Sequence, residues 1–216
     1  MQPLTRNPPR PGAGRPTREQ SELRHEELLD RALELFLENG FELVTMEAIA
    51  AAVGMTKRTV YARYEDKSAL FRAVVQRAIE RWMVPIETMR AAESDDLEAT
   101  LLAIAEIRLQ NAISPVGLRL QRIVNAESYR FPEIFNLAYE QGTRPALAFI
   151  ADLLTRRAAE GGLQIEDPQI AAAAFLSMVI GGPTRAIVLG GPVDEAALET
   201  RIAICVRMFL NGVRSR

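Results

Sequence analysis

Residues 45–70 read TMEAIAAAVGMTKRTVYARYEDKSAL, and no other stretch restricts the fold of this chain so tightly. Two short helical patterns flank the pair Gly54-Met55. In the first, residues 46–53, the apolar members Met46, Ile49, Ala50 and Val53 recur at separations of three, one and three, which gives a single buried face. Thr45 stands where a helix cap belongs. Gly54 supplies a tight turn. Thr56 can cap the second pattern, which ends near residue 63. Its apolar members, Val60 and Tyr61, leave Lys57, Arg58 and Thr59 near the helix start.

Two crossed helices joined by a tight glycine-containing turn are a means of setting a short helix into a DNA major groove, with the first residues of that helix at the base edges. Lys57, Arg58 and Thr59 are therefore the candidate base-reading residues. A helix-turn-helix pattern alone is a weak signal, because any small helical bundle imitates it. Here the pattern is wider. Leu29, Ala32, Phe36, Gly40, Thr45, Ile49, Ala50, Val53, Gly54, Thr59, Val60, Tyr61, Tyr64, Lys67 and Leu70 fix identity, spacing and N-terminal position together, and residues 24–82 resemble the DNA-binding domain of TetR-type transcriptional regulators. Arg58 departs from that pattern, which usually has a small residue there, and can serve as a base or a phosphate contact. The resemblance implies phosphate contacts from Tyr61, Tyr64 and Lys67, whose hydroxyl and ammonium groups donate to phosphate oxygens and set register without reading sequence. The place of Tyr64 equally suits an aromatic packed between helices, so Tyr61 is the better phosphate candidate. Thr45 offers a hydroxyl and the free N–H groups of a helix start.

Charge alone would not suggest nucleic acid. The formal net charge is −2, so DNA binding must rest on local placement. Lys57, Arg58, Arg63 and Lys67 against Glu65 and Asp66 make such a local basic patch. One cysteine, Cys205, and one histidine, His25, exclude a disulfide framework and a four-ligand zinc site, and fit a reducing, cytoplasmic setting. No metal or cofactor is expected.

Residues 1–17 are proline- and arginine-rich without an apolar centre, which reads as an arm and not a signal peptide. The arm is either a solubilising tail or a minor-groove contact. Gly14-Arg15-Pro16 resembles the segment preceding the first helix in many TetR-type proteins, and Arg15 suits the narrow, electronegative minor groove. The first helix, residues 18–39, carries the stripe Leu28, Leu29, Ala32, Leu35 and Phe36, with Gly40 as its C-terminal stop. His25 precedes the stripe and reads as a solvated side chain. Asp66 or a neighbour caps a helix over residues 67–83 that leaves the DNA-binding domain, residues 18–66, without a flexible linker.

From residue 84 to 211 the chain is rich in Ala, Leu and Ile at helical spacing, with patterns at 97–110, 115–129, 135–139, 145–159, 167–189 and 194–211. No run alternates long enough for a strand. The expected fold is all-α: an N-terminal three-helix DNA-binding domain with a helix-turn-helix, then a helical ligand-binding and dimerisation domain. The apolar stretch 170–180 contains Ser177 and is short for a membrane span. Residues 122–142 and 166–182 resemble the C-terminal domain of an AefR-like subgroup. That resemblance implies that the last two long helices pair with their symmetry mates, placing Phe175, Met178, Leu198, Ile202, Cys205 and Phe209 at a homodimer interface, with an intrachain core as the other reading. A cavity for a small apolar or amphipathic effector is expected among residues 97–159, with Arg122 and Asn125 as polar candidates against the alternative of a salt-bridged surface.

Catalytic signatures are missing: there is no nucleophile elbow, dinucleotide fingerprint or Walker loop. Asp95-Asp96 precedes Leu97 as helix-start chemistry favourable to the dipole. The TetR-type resemblance implies a ligand-released repressor acting as a homodimer on a pseudo-palindromic, double-stranded operator. A DNA-binding or structural protein without an effector is the competing reading.

Overall fold

The computed structural model describes residues 17–214, which form helices joined by short turns; no strand occurs among the described residues. Helix α1, Arg18–Leu43, opens on a capping box: Thr17 Oγ1 accepts from the Gln20 amide at 3.2 Å and the Thr17 amide donates to Gln20 Oε1 at 3.0 Å. Gly40 interrupts its end with φ +74°, a conformation that costs a residue with a Cβ. The break turns Phe41 back into the core. Helices α2 (Met46–Ala52), α3 (Lys57–Tyr61) and α4 (Lys67–Trp82) each begin on a side-chain cap. Thr45 Oγ1 accepts from Ala48 N at 3.1 Å, Thr56 Oγ1 from Thr59 N at 3.2 Å and Asp66 Oδ1 from Ala69 N at 2.7 Å. Gly54, at φ +62°, makes the turn between α2 and α3.

The second half contains α5 (Ile86–Ala91), α6 (Leu97–Ile113), α7 (Pro115–Glu127), α8 (Pro132–Ala138), α9 (Arg144–Ala159), α10 (Pro168–Leu176), α11 (Gly182–Val188) and α12 (Glu195–Val213). Asp96 caps α6 by accepting from Glu98 N and Ala99 N, the helix-start role that its position suggests. One joint differs from the pattern in the sequence, the gap between 139 and 145, and the single pattern at 167–189 carries a change of helix type inside it. Instead of stopping, α8 runs into α9 through a π-helical turn at Tyr139–Thr143; α10 runs on into α11, as the pattern has it, but through another π turn at Ser177–Gly181. A proline inside a helix lacks its N–H and presses on the carbonyl four residues back. For Pro145 that residue is Gln141, and for Pro183 it is Val179; each lies within a π turn, whose wider ladder accommodates the ring.

Two apolar cores form. One joins α5, α6 and α9–α12. The other fills the α1–α4 bundle and also takes in Leu120, Ile123 and Val124 of α7, Phe131, and Ile134 of α8. Phe131 sits at the α7–α8 break with its ring centroid 5.1 Å from Phe41 and 5.0 Å from Phe71. The N-terminal bundle is thus held to the rest of the subunit by packing on α7 and α8 as well as by α4. Arg130 adds an ion pair to Glu42 and lies 5.0 Å over the Phe41 ring. On the opposite side Arg77 and Arg81 of α4 clamp Glu26 and Asp30 of α1, with Arg77 Nη1 2.8 Å and Arg81 Nη1 3.0 Å from Asp30.

The run Pro168–Val188 has a mean hydropathy of 1.5 over its most apolar window and is long enough to cross a membrane, yet it carries the π turn and packs on α9 and α12. Only 39% of that window is buried within the subunit.

Candidate nucleic-acid interface and adjoining cavity

Helix α3 is a single short turn and a half, too brief to persist alone. Val60, fully buried, pins it to the bundle, and Thr56 caps its start. Lys57, Arg58 and Thr59 consequently stand exposed on its first turn. Lys57 forms an ion pair with Glu47 of α2 and lies 5.4 Å over the Tyr61 ring. The hydrogen bond between the pair raises the Lys57 pKa and lowers that of Glu47. Thr59 shares a 2.9 Å hydroxyl contact with Thr56. Tyr61 is 41% exposed, and Thr45 is exposed at the start of α2. These residues therefore share one accessible surface at the helix-turn-helix. Arg15 lies outside the described residues.

Tyr64 and Lys67 differ from the phosphate-contact expectation, because their polar groups are occupied inside the bundle. The Tyr64 hydroxyl is 2.7 Å from His25 Nε2, with the two rings stacked at 5.9 Å, and burial raises the Tyr64 pKa. His25 is therefore not the solvated side chain its charged neighbours suggest. Burial, then the Arg63 charge, lower its pKa; Glu26 opposes and Arg77 adds to the lowering. Arg63 itself reaches back to α1, donating to Ser21 Oγ at 2.7 Å. Lys67 Nζ donates to the carbonyls of Phe41 at 2.8 Å and Glu42 at 3.2 Å and sits 4.3 Å over the Phe41 ring. It closes the end of α1, where carbonyls lack partners within the helix. These ties span more than twenty residues and leave no local sequence signal.

Beneath the bundle, α4, α6, α7, α8 and the two π turns enclose a cavity of about 420 Å³. Trp82, Met83, Leu120, Val124, Phe135 and Tyr139 supply apolar and aromatic wall. Trp82 Nε1 donates to the Asn111 carbonyl at 3.2 Å, tying α4 to α6 across the wall. Of the two polar candidates, Asn125 lines the cavity and Arg122 does not, being exposed. On α7 the lining residues are Leu120, Gln121, Val124 and Asn125, two neighbours repeated four residues on, and this helical face excludes position 122. Arg108 also borders the cavity, a residue the sequence reading passed over. It continues the apolar series Leu101, Ile104, Ala105 at helical spacing, so a charge on a buried stripe was the available signal. Burial lowers its pKa, and its Nε has no hydrogen-bond partner.

The residues expected at a subunit interface are mostly consumed by the subunit's own core. Phe175, Ile202, Cys205 and Phe209 are buried, while Met178 and Leu198 are partly buried against the same cluster. Phe175 and Phe209 meet at 5.2 Å, and Cys205 Sγ faces the Met178 carbonyl at 3.7 Å. The open apolar face of α10 and α12 consists instead of Ile170, Ile204 and Met208, at 68%, 43% and 62% exposure, with Ala173 and Ala174 beside them. Both sets lie on the same helices. Helix α12 is apolar on more than one side, and packing on α6 and α10 selects which side turns inward.

Residues 99–212 match the AefR-like transcriptional repressor C-terminal domain, and residues 28–74 match the tetR family of bacterial regulatory proteins. The chain is a TetR-family transcriptional regulator. As such it is a DNA-binding protein and not an enzyme. Among solved structures, the regulator resembles a TetR-family protein from Mesorhizobium loti, with 27% identity, a TM-score of 0.77, and coverage of 93% of this chain and 100% of that one. It also resembles the flavonoid-responsive regulator FrrA, with 32% identity, a TM-score of 0.70, and coverage of 90% and 99%. The HTH-type transcriptional repressor ComR of Escherichia coli is 34% identical over 73 residues, which is 34% of this chain. The chain spans about a third of ComR's length in that match, 35%.

Proposed function

We propose that the regulator is a homodimeric repressor that leaves a pseudo-palindromic operator when a small amphipathic aromatic compound fills the cavity. The observation that carries this reading is the position of the cavity on the elements that hold the DNA-binding bundle. Helix α4 borders the cavity through Ile79, Trp82 and its C-cap Met83, and buries Leu70, Phe71 and Val74 in the bundle core at its other end. Helix α7 does the same through Leu120 and Val124, and α8 lines the cavity with Phe135 and Ala138 while burying Ile134 in the bundle core. A ligand that favours one arrangement of α4 against α7 and α8 changes the placement of α3, and so depopulates the DNA-competent dimer.

Lys57, Arg58 and Thr59 read base edges in this scheme, while Thr45 and Tyr61 hold phosphates. Tyr64 and Lys67 shape the bundle that presents them. The half-open apolar face of α10 and α12, centred on Ile170, Ile204 and Met208, supports a homodimer through these helices. The two α3 helices then face successive major grooves at about 34 Å.

The flavonoid response named for FrrA, with the aromatic wall of the cavity here, supports a planar aromatic effector. The cavity volume lies within the range usual for small-molecule sites. Operator binding followed by fluorescence anisotropy, with flavonoids and aromatic acids as competitors, tests the proposal. Release of operator at saturating ligand is the expected result. Ligands that bind but leave operator affinity unchanged would return the constitutive DNA-binding reading. Moving the population from about 1:99 to 99:1 takes a roughly 10⁴-fold preference of the ligand for one state, so weak binders should displace only partly.

A further inference from the structure

Arg108 is an unusual wall for an apolar cavity. Its Nε is buried without a hydrogen-bond partner, and no carboxylate lies within ion-pair distance of its guanidinium among the described residues. The neighbouring polar side chains do not compensate. Gln121 Nε2 donates to the Ala112 carbonyl at 3.1 Å, and the Asn111 carbonyl is occupied by Trp82 and Ser114. The cavity lining contains no aspartate or glutamate at all. A desolvated cation with no counter-charge is costly, and a guanidinium keeps its charge where a lysine or histidine would lose it. The site is therefore electrostatically incomplete: an aromatic-walled cavity with one positive group and nothing to neutralise it. Burial lowers the Arg108 pKa in the direction this predicts. Both π turns contribute lining residues, Tyr139, Gly142 and Thr143 from one and Ile180 from the other, and such turns recur where helices are shaped around a ligand.

We infer that the effector is an aromatic acid, whose carboxylate or acidic phenol pairs with the Arg108 guanidinium while its ring lies among Trp82, Phe135 and Tyr139. The inference rests on reading this cavity as the effector site. A planar guanidinium matches a carboxylate through two parallel N–H donors, and the pair gains strength because the Arg108 guanidinium is largely withdrawn from solvent. A cationic ligand would add a like charge beside the arginine, and a neutral ligand without an acidic hydroxyl would leave it unpaired.

The test uses two fluorescent probes with one aromatic skeleton. 8-Anilinonaphthalene-1-sulfonate carries an anion that stands in for the carboxylate, and N-phenyl-1-naphthylamine lacks it. Trp82 is the single tryptophan of the chain and lines the cavity, so quenching of its emission reports occupancy. Each probe is titrated into the full-length protein, Arg108→Met and Arg108→Lys, with thermal denaturation confirming that both variants fold. The expected result is a loss of about tenfold or more in sulfonate affinity in Arg108→Met, from removal of a charge-assisted contact. The neutral probe should change by less than about threefold, and Arg108→Lys should recover part of the sulfonate affinity. Equal sulfonate affinity in the parent protein and Arg108→Met overturns the aromatic-acid inference and leaves the cavity as an effector site. Failure of both probes to quench Trp82 overturns the cavity reading itself, and the inference with it.

Discussion

The charged side chains of the N-terminal bundle divide by what they touch. Lys57 is free to swing toward DNA once its partner Glu47 is displaced, whereas Lys67 is bound to two backbone carbonyls. Lys57→Ala should lower the preference for operator over scrambled DNA by about tenfold, the discrimination typical of one base contact. Glu47→Gln should strengthen binding to both DNAs, since it frees Lys57 and removes a negative charge beside phosphate; competition binding at two salt concentrations measures both. Lys67→Met should cost about 1–2 kcal/mol of stability in urea titration, with the salt dependence of DNA binding unchanged. A fall of one unit in the salt slope would instead reinstate it as a phosphate contact. His25 gives a pH prediction. Its folded-state pKa lies below the ordinary value, so its contribution to stability is complete above about pH 6.5 and is lost as pH falls through the lower, folded pKa. Thermal midpoints between pH 7.5 and 5.5 should drop more for the parent protein than for His25→Asn, and the assignment is clean because the chain has one histidine.

At the scale of elements, short helices survive here by capping and anchoring. Helix α3 has five residues, and its position depends on Val60 and Thr56. Val60→Ala should cost about 2 kcal/mol and reduce specific DNA binding more than non-specific binding, because the recognition turn loses its anchor. Urea melts with paired operator and scrambled-DNA titrations measure the two effects together. The π turns illustrate a different rule. At Tyr139–Thr143 and Ser177–Gly181 the helix continues around a proline four residues beyond the middle of the turn. Gly142 is buried under Met83, whose Sδ leaves no room for a Cβ. The small side chain serves close helix approach over the cavity and not termination.

For the whole molecule, the coupling of the two halves is a packing matter. Phe131, Phe41 and Phe71 meet at about 5 Å and weld α7 and α8 to the bundle, which is the route by which the proposed ligand-driven movement of α7 would reach the recognition helix. Assembly is the other molecular-scale question. The apolar Pro168–Val188 run is less than half buried within one subunit, and Ile204 and Met208 of α12 extend that open face. Ile204→Arg combined with Met208→Glu should leave the subunit folded, because both side chains are exposed, yet shift sedimentation at micromolar concentration from dimer to monomer and weaken operator binding. A parent protein that sediments as a monomer with and without DNA would sink the dimer proposal.

What the sequence determined alone is everything governed by neighbours within about four residues. Thr45, Thr56, Asp66 and Asp96 cap helices because a cap needs a side-chain oxygen and amides two or three residues on. Gly40 and Gly54 break helices because their φ values suit glycine. The all-α class and the helix-turn-helix follow from these signals, as does the exposure of Lys57, Arg58 and Thr59. The tertiary structure decided the rest. Periodicity marks α12 as amphipathic on too many sides to say which apolar stripe meets α6 and α10 and which stays open. The partners of Tyr64, Lys67 and Arg63 come from α1 and its end, and the isolation of Arg108 depends on which carboxylates four separate helices bring near it. Such pairings arise from the packing of distant segments, and the period of a single helix carries no record of them.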